Sequence, residues 1–349
     1  MQTKYWTVDK HVDNFKSYSQ IEEAAKLLEQ NETVAFPTET VYGLGANAKN
    51  DEAVKKIFEA KGRPSDNPLI VHIASKEQLK DIVEVIPKRA EILMERFWPG
   101  PLTLIFKKKE NTLSNLVTAG LQSVAIRMPD HPVALDLIKK SGLPIAAPSA
   151  NTSGKPSPTT AGHVFQDLNG KIAGIVDGGA TGVGVESTVL DCTEAVPVIL
   201  RPGGITKEQI EEAIGPVSYD PSLSNVKEAP KSPGMKYTHY APRAEFTLVN
   251  GSPQFLQTLV NQSKAAGLRV GVFTTEENAA FYDADHVLSA GARKDLSTVA
   301  AGLYDTLRKF DSLDVDRIFG EVFPVEGIGQ AIMNRLTKAA GHRIVREDE

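Results

Sequence analysis

The chain has 349 residues, of which 41% are hydrophobic and 24% are charged, and its formal net charge is −5. This length suffices for two domains with separate cores, and the acidic balance argues against a broad nucleic-acid-binding face. The single cysteine, Cys192, excludes internal disulfides and C-x-x-C metal sites and is interpreted as a core residue. With no apolar leader and no stretch of membrane-span length, the protein is expected to be soluble and cytoplasmic.

Strand-like and helix-like patterns alternate along residues 1–215, which indicates an α/β domain. Helices are predicted over 19–30, 50–60, 87–98 and 206–214. Strands are predicted at 34–36, 69–73, 102–106, 124–126, 144–147, 175–177, 188–191 and 198–200. Capping boxes are expected at Ser19 and Thr206, and a left-handed helix end is expected at Gly62.

The pattern changes at residues 216–244, which are rich in proline and polar residues and lack periodicity, so an irregular linker is predicted. Strands at 246–249, 269–273, 286–288 and 317–319 then alternate with helices at 253–266, 295–310 and 329–340. This order predicts a smaller, Rossmann-like C-terminal domain with a parallel sheet, residues 245–349. Lys236, His239 and Tyr240 in the linker leave two interpretations open, an aromatic anchor between domains or a lid over a ligand.

Two short turns each carry a pair of polar residues two positions apart. Lys61 and Arg63 flank a glycine, whereas Ser149 and Asn151 lie in a run of small residues. A lysine charge, an arginine fork and accessible backbone amides suit phosphate oxygens or a carboxylate. Neither a P-loop nor a complete dinucleotide fingerprint is present, so scattered cations and turn amides would hold any nucleotide. The alternative is that the two cations pair with surface acids such as Glu59 and Asp66.

Other polar side chains follow predicted strands directly. Thr38 and Thr40 follow the strand at 34–36, Arg127 follows 124–126, and Arg201 follows 198–200. In α/β sheets ligands bind in the crevice at the carboxyl ends of strands, so we expect these residues to face one cleft. The seven histidines show no metal-ligand spacing, so no protein-built metal site is predicted and Mg²⁺ is expected to arrive with a nucleotide.

These motifs together resemble a known family. Lys61, Arg63, Ser149 and Asn151 match the K-x-R…S-x-N signature of the YrdC-type domain. With the aromatic linker and the second α/β domain, the chain resembles the two-domain threonylcarbamoyl-AMP synthases. The resemblance implies an N-terminal twisted open mixed sheet with flanking helices. It also implies a reaction of L-threonine, bicarbonate and ATP that yields L-threonylcarbamoyl-AMP and pyrophosphate, for threonylcarbamoyl-adenosine modification of tRNA next to the anticodon.

The resemblance further implies a role for particular residues. The four signature residues would be catalytic. Threonine would be bound by Thr40, His72, Arg127, Ala147 and Ser187. ATP, carrying Mg²⁺, would be bound by Lys61, Arg63, Asn67, Ser123, Ser149, Ser157, Arg201, Lys236, Tyr237, His239 and Tyr240. The implied partners are downstream tRNA threonylcarbamoyl-transfer enzymes, and a weak contact with tRNA itself is left open.

Two other functions compete with this interpretation. A double-stranded RNA-binding module without nucleotide turnover would use a concave, locally positive face, and the acidic composition argues against it. A carbamoyl transferase of the hydrogenase-maturation type would carry zinc-finger and acylphosphatase-like regions, which a chain with one cysteine lacks.

Overall fold

The computed structural model describes residues 2–9, 18–223 and 240–349. Within these residues the chain divides into two compact units, each built on its own sheet. The first unit holds residues 2–9, 18–153, 158–182 and 186–223, and the second holds residues 154–157, 183–185 and 240–349. Two short segments from the range 1–215 therefore group with the second unit.

The first unit contains an eleven-stranded mixed sheet with helices against it. The strands are β1 (Lys4–Thr7), β2 (Val34–Phe36), β3 (Gly43–Asn47), β4 (Ile70–His72), β5 (Leu102–Lys107), β6 (Ser123–Arg127), β7 (Ile145–Ala146), β8 (Gly174–Asp177), β9 (Thr188–Asp191), β10 (Val198–Arg201) and β11 (Ser218–Tyr219). Their order in the sheet is β1-β8-β2-β3-β7-β4-β6-β5-β9-β10-β11, with both parallel and antiparallel pairs. The mixed sheet confirms the fold class expected for this domain.

The helices of the first unit cover the two faces of the sheet. They are α1 (Ser19–Glu29), α2 (Asp51–Lys61), α3 (Lys76–Ile82), α4 (Lys88–Phe97), α5 (Asn115–Thr118), α6 (Pro132–Ser141), α7 (Ala161–Leu168) and α8 (Lys207–Ile214). The larger core joins Val71 and Ile126 of the sheet to residues of α2, α4 and α7, and Cys192 lies in it as predicted. On the opposite face, Phe36 and Ile145 pack with α1 and α6.

Several of these elements are not among those predicted from the sequence: β1, β3, β11, α3, α5, α6 and α7. Strand β3 carries two glycines, which have low β-propensity. Gly45 is nevertheless required there, because an added Cβ would lie 2.7 Å from the ring of Phe36. Strand β11 shows that residues 218–219, inside the predicted irregular linker, extend the sheet beside β10.

The second unit is built on a wholly parallel sheet, as predicted, and Ile344–Arg346 adds a fifth strand to the four predicted ones. Its strands are β12 (Glu245–Asn250), β13 (Val270–Thr274), β14 (His286–Ser289), β15 (Arg317–Glu321) and β16 (Ile344–Arg346), in the order β14-β13-β15-β12-β16. Its helices are α9 (Pro253–Ala265), α10 (Leu296–Phe310) and α11 (Gly329–Ala339). Across the part of the chain that the structure describes, no helix is both long and apolar enough to span a membrane.

The helix ends test the predicted caps one by one. Gly62 follows α2 with a φ of 61°, which confirms the left-handed end. Thr206 and Gln209 form both bonds of a capping box at α8. The box predicted at Ser19 is wrong, because Tyr18 occupies the N-cap of α1 and its side chain makes no capping hydrogen bond.

This contrast predicts a difference in stability between two substitutions. Thr206→Ala removes an acceptor from the first turn of α8, so the free energy of unfolding should fall by about 1 kcal/mol. Ser19→Ala removes no capping bond and should change it far less. Urea unfolding followed by circular dichroism measures both, and an equal loss in the two variants would contradict the assignment of the caps.

Candidate active site

The register of the sheet brings several predicted site residues onto one face. Strands β4 and β6 run parallel, and His72 lies directly opposite Arg127. Ser123, at the other end of β6, projects to the same side as Arg127 because side chains alternate along a strand. The amide of Ala147 donates to the carbonyl of Ile70 at 2.9 Å, beside β4. Ser123 and Arg127 lie at opposite ends of one strand and share a sheet face, whereas His72 and Arg127 both lie at the carboxyl ends of their parallel strands.

Arg127 is buried, and each nitrogen of its guanidinium meets a different protein group. The Nε atom donates to the carbonyl of Gly100 at 3.2 Å, and Nη1 donates to Oγ1 of Thr40 at 2.9 Å. The Nη2 atom lies 2.6 Å from Oε1 of Glu39, an ion pair without the angle of a directed hydrogen bond. The structure therefore joins Thr40 to Arg127, two residues expected to bind threonine.

Glu39 is a site residue that sequence reasoning missed. Asp130 is the acid that lies near Arg127 in sequence, whereas the ion-pair partner is Glu39, from the segment after β2. Burial raises the pKa of Asp130, and the negative charge of Glu39 raises it further. The available signal was the position of Glu39 between Thr38 and Thr40, the two hydroxyl residues already singled out.

Lys61 joins three of the four signature residues. Its side chain is 2% exposed, and Nζ donates to the carbonyls of Ser149 at 2.5 Å and Asn151 at 2.6 Å. The hydroxyl of Ser149 in turn donates to Oδ1 of Asn151 at 2.6 Å. Glu59, the surface acid considered as a partner for Lys61, lies 3.9 Å from Lys55 instead. The cation of Lys61 is thus directed into the turn that carries Ser149 and Asn151.

Arg63 and Asn67 lie close to each other beyond the end of α2. The Nη2 atom of Arg63 lies 3.4 Å from the carbonyls of both Asn67 and Pro68, at the limit of a hydrogen bond. The side chain of Asn67 is buried, and its Oδ1 has no hydrogen-bond partner among the described residues. The Oδ1 atom of Asn67 can therefore still accept a hydrogen bond next to the turn that follows α2. The guanidinium of Arg63 lies beside it.

Another set of hydrogen bonds joins a residue predicted to bind ATP to a residue predicted to bind threonine. Arg201 donates to the carbonyl of Ser187 from Nε at 3.1 Å and from Nη2 at 2.9 Å. The hydroxyl of Ser187 lies 2.7 Å from Oγ1 of Thr103, another residue that sequence reasoning missed. The predicted ATP-binding Arg201 and the predicted threonine-binding Ser187 are therefore direct neighbours.

The segment after β2 connects the contacts of Arg127 to the turn that Lys61 binds. Gly43 forms an isolated antiparallel bridge with Ser149, and the amide of Ala150 donates to the carbonyl of Tyr42 at 2.8 Å. Thr40 lies just before this bridge and accepts from Arg127. The Thr40–Arg127 contact and the Lys61 turn therefore belong to one framework.

Some predicted residues lie elsewhere. Ser157 is buried and belongs to the second compact unit, as does Tyr240, whose ring lies 5.1 Å from that of Tyr304. Lys236, Tyr237 and His239 fall outside the described residues. Within the described parts of the chain, no group of three or more His, Cys, Asp or Glu side chains could hold a metal ion.

The chain is similar to proteins of one family over nearly its whole length. Residues 26–203 match the family described as "Telomere recombination", and residues 205–341 match "Threonylcarbamoyl-AMP synthase, C-terminal domain". The threonylcarbamoyl-AMP synthase of Bacillus subtilis (strain 168) is 64% identical over 346 residues, which are 99% of this chain and 100% of that protein. The chain belongs to the threonylcarbamoyl-AMP synthase family. The family relative from Schizosaccharomyces pombe is 42% identical over 92% of this chain and 88% of its own.

A solved structure from the same family supports the fold. The crystal structure of P. abyssi Sua5 complexed with L-threonine has a TM-score of 0.91 and 49% sequence identity, and each chain covers 99% of the other. This likeness confirms the two-domain α/β architecture. It also places the grouped residues of this chain in a fold that the synthase family shares.

His72 is uncharged within this site. Burial, and then the positive charge of Arg127, lower the pKa of His72 from 6.5 to about 3. Its ring packs edge-to-face on Phe36 at 6.2 Å. A neutral imidazole beside a buried arginine contributes shape and polarity without adding a second positive charge.

This shift predicts a pH dependence of stability. The unfolded chain takes up a proton at His72 as the pH falls below 6.5, whereas the folded chain resists it until about 3. The free energy of unfolding should therefore fall across that window, and it should fall less in His72→Asn. Unfolding measured over the pH series checks this, and an imidazole signal that titrates near 6.5 in the folded protein would contradict it.

Proposed function

We propose that the chain joins L-threonine, bicarbonate and ATP to form L-threonylcarbamoyl-AMP and pyrophosphate. The observation that carries the proposal is the joining of Thr40, His72 and Arg127 to the Lys61 turn within one framework of the first unit. Family membership supports it, since the named relatives from B. subtilis and S. pombe are threonylcarbamoyl-AMP synthases. These names support the synthase and do not favour the RNA-binding module.

Threonine would bind on the sheet face around Arg127. The related P. abyssi Sua5 was crystallised as a complex with L-threonine, which supports the same amino acid here. A guanidinium fork matches a carboxylate, and Thr40, already held by Arg127, would add a hydroxyl. Glu39 lies on Nη2 of Arg127 and would hold the plane of the fork before the substrate arrives. Ala147 and Ser187 would complete this pocket.

The triphosphate of ATP would meet Arg63, Arg201 and the turn that Lys61 orders. Small residues at 149–151 let backbone amides approach an anion, and Ser149 supplies a hydroxyl. Asn67 and Ser123 would contribute polar contacts, and Ser157, Lys236, Tyr237, His239 and Tyr240 remain proposals for the nucleotide. Mg²⁺ would be held by the phosphate oxygens of ATP and would neutralise their charge.

The proposed reaction requires that the substrates are positioned against each other and that water is excluded from them. The amine of threonine and bicarbonate would form a carbamate with loss of water, and a carbamate oxygen would then attack the α-phosphorus with release of pyrophosphate. The carbamate is labile in water, so a closed site is needed. The product would pass to tRNA threonylcarbamoyl-transfer enzymes in the cytoplasm, a compartment that fits the single buried Cys192.

The phosphate role of Arg63 can be tested against a cation on the preceding helix. Arg63→Ala should lower turnover about 100-fold or more, because a charge that stabilises the reacting phosphates is lost. Lys55→Ala removes an exposed cation of α2 and should leave turnover unchanged. Pyrophosphate release that requires both threonine and bicarbonate is the measurement. Full activity in a folded Arg63→Ala chain would remove the phosphate assignment.

The threonine role of Arg127 predicts a selective change in KM. Arg127→Lys keeps the charge and loses the planar fork, so KM for threonine should rise about 10-fold or more while KM for ATP stays the same. Arg96→Lys, a surface substitution at the Glu212 ion pair, is the matched control. Equal increases in the KM for threonine and the KM for ATP would indicate a general structural effect and would contradict a direct contact between Arg127 and threonine.

A further inference from the structure

A cavity lies in the second compact unit, at the carboxyl ends of its parallel strands. Its volume is about 270 Å³. The segments that follow β12, β13, β14 and β15 each contribute a lining residue, respectively Ser252, Asn278, Arg293 and Val322. Small-molecule pockets begin near ~300 Å³, so this cavity suits a small metabolite and not a macromolecular segment.

The cavity coincides with a reversal in the topology of the sheet. Strands β12 and β15 are neighbours, yet the chain leaves β12 past β15 to reach β13 and leaves β15 past β12 to reach β16. Such reversals are where open α/β sheets bind ligands. Val249 near the end of β12 and Glu321 at the end of β15 both line the cavity, which places it at this switch point.

Glu321 supplies a buried, fixed negative charge in the cavity wall. Its Oε1 accepts hydrogen bonds from Thr274 at 2.8 Å, Asn278 at 2.8 Å and Tyr282 at 2.7 Å, and Oε2 accepts from Arg293 at 2.8 Å. Burial acts to raise the pKa of Glu321, but these bonds bring it below its ordinary value. Because this carboxylate already accepts so many hydrogen bonds, it fixes the position of Arg293. It has little remaining capacity to bind a cationic ligand.

Contacts at the Nη2 atom of its guanidinium hold Arg293 in place. Nη2 donates to Glu321 and, at 3.0 Å, to the carbonyl of Val322, while the group lies 5.0 Å from the ring of Phe323. Its Nε is buried and has no hydrogen-bond partner among the described residues. The side chain as a whole is 37% exposed, so a guanidinium with a fixed plane presents its exposed part to the oxygens of a carboxylate or phosphate.

On another wall of the cavity, the side-chain carboxylate of Glu347 accepts hydrogen bonds from Ser252. The amide and hydroxyl of Ser252, at the start of α9, donate to Glu347 at 2.6 Å and 2.8 Å. Gly251 makes room for this contact, because an added Cβ would lie 2.9 Å from Oε2 of Glu347. The wall therefore already accepts an oxyanion, supplied here by the C-terminal segment.

We propose that this cavity binds a small molecule that carries one oxyanion group, a carboxylate or a phosphate. Arg293 takes the oxyanion, and Val249, Leu256 and Val322 contact the rest of the molecule. The site is separate from the synthase site in the first unit, and the proposal does not rest on the synthase reaction.

Methyl NMR of the full chain tests the site directly. Inorganic phosphate and acetate, each titrated at constant ionic strength against sodium chloride, are the probes. At least one should shift the methyl signals of Val249, Leu256 and Val322 in a saturable way, and which one does so distinguishes the two oxyanions. These signals report the cavity alone, so anion binding in the first unit does not interfere. No saturable shift with either anion would overturn the proposal.

Variants decide whether Arg293 is the binding residue. Arg293→Gln should weaken the affinity about 10- to 100-fold, and Arg293→Lys, which keeps the cation near Glu321, should weaken it less. Arg317→Gln is the matched control, because Arg317 lies at the opposite end of β15 and pairs with Glu245. Glu347→Gln should tighten binding about threefold by removing a competing charge. Wild-type affinity in folded Arg293→Gln and Arg293→Lys chains would overturn the proposal, and unchanged affinity in Glu347→Gln would exclude the start of α9 from the site.

Discussion

The buried charge of Arg127 is the constraint on which the candidate active site depends. A guanidinium leaves water only where its donors and its charge are satisfied. Here the carbonyl of Gly100, the hydroxyl of Thr40 and the carboxylate of Glu39 do this, and they come from two segments far apart in sequence. Both segments must therefore fold against the end of β6. Burial first, and then the same charge, lower the pKa of His72, which lies directly opposite Arg127.

Lys61 imposes a second constraint of a different kind. Its ammonium group donates to two backbone carbonyls and so orders the turn at Ser149 and Asn151. These bonds add to the Gly43–Ser149 bridge and to the hydrogen bond from the amide of Ala150 to the carbonyl of Tyr42, which hold the same turn. The signature lysine therefore acts first on the protein's own backbone. Its effect on a bound phosphate would come through the turn it orders as well as through its charge.

The sequence predicts which residues matter better than it predicts how they meet. Strands with continuous apolar runs, such as β5 and β6, are predicted nearly to the residue because burial on both faces leaves a clear pattern. Strand β3 is missed because its glycines carry no such pattern, whereas β7 falls inside the predicted strand 144–147, of which only two residues pair. Glu39 is missed for another reason: its partner Arg127 is close only after β2 and β6 take their places in the sheet.

The two sheets also differ in how the direction of their strands brings polar residues together. In the wholly parallel sheet of the second unit, every carboxyl end lies at the same edge, so successive segments converge on one cavity. In the mixed sheet of the first unit, β4 and β6 run parallel, so His72 and Arg127 lie at the same edge, whereas β4 pairs antiparallel with β7 and β6 with β5. Residues from opposite ends of one strand, such as Ser123 and Arg127, are brought to the same side of the sheet by the alternation of side chains. His72, Ser123 and Arg127 therefore share a face of the sheet, and the arrangement depends on the register of the strands as well as on their direction.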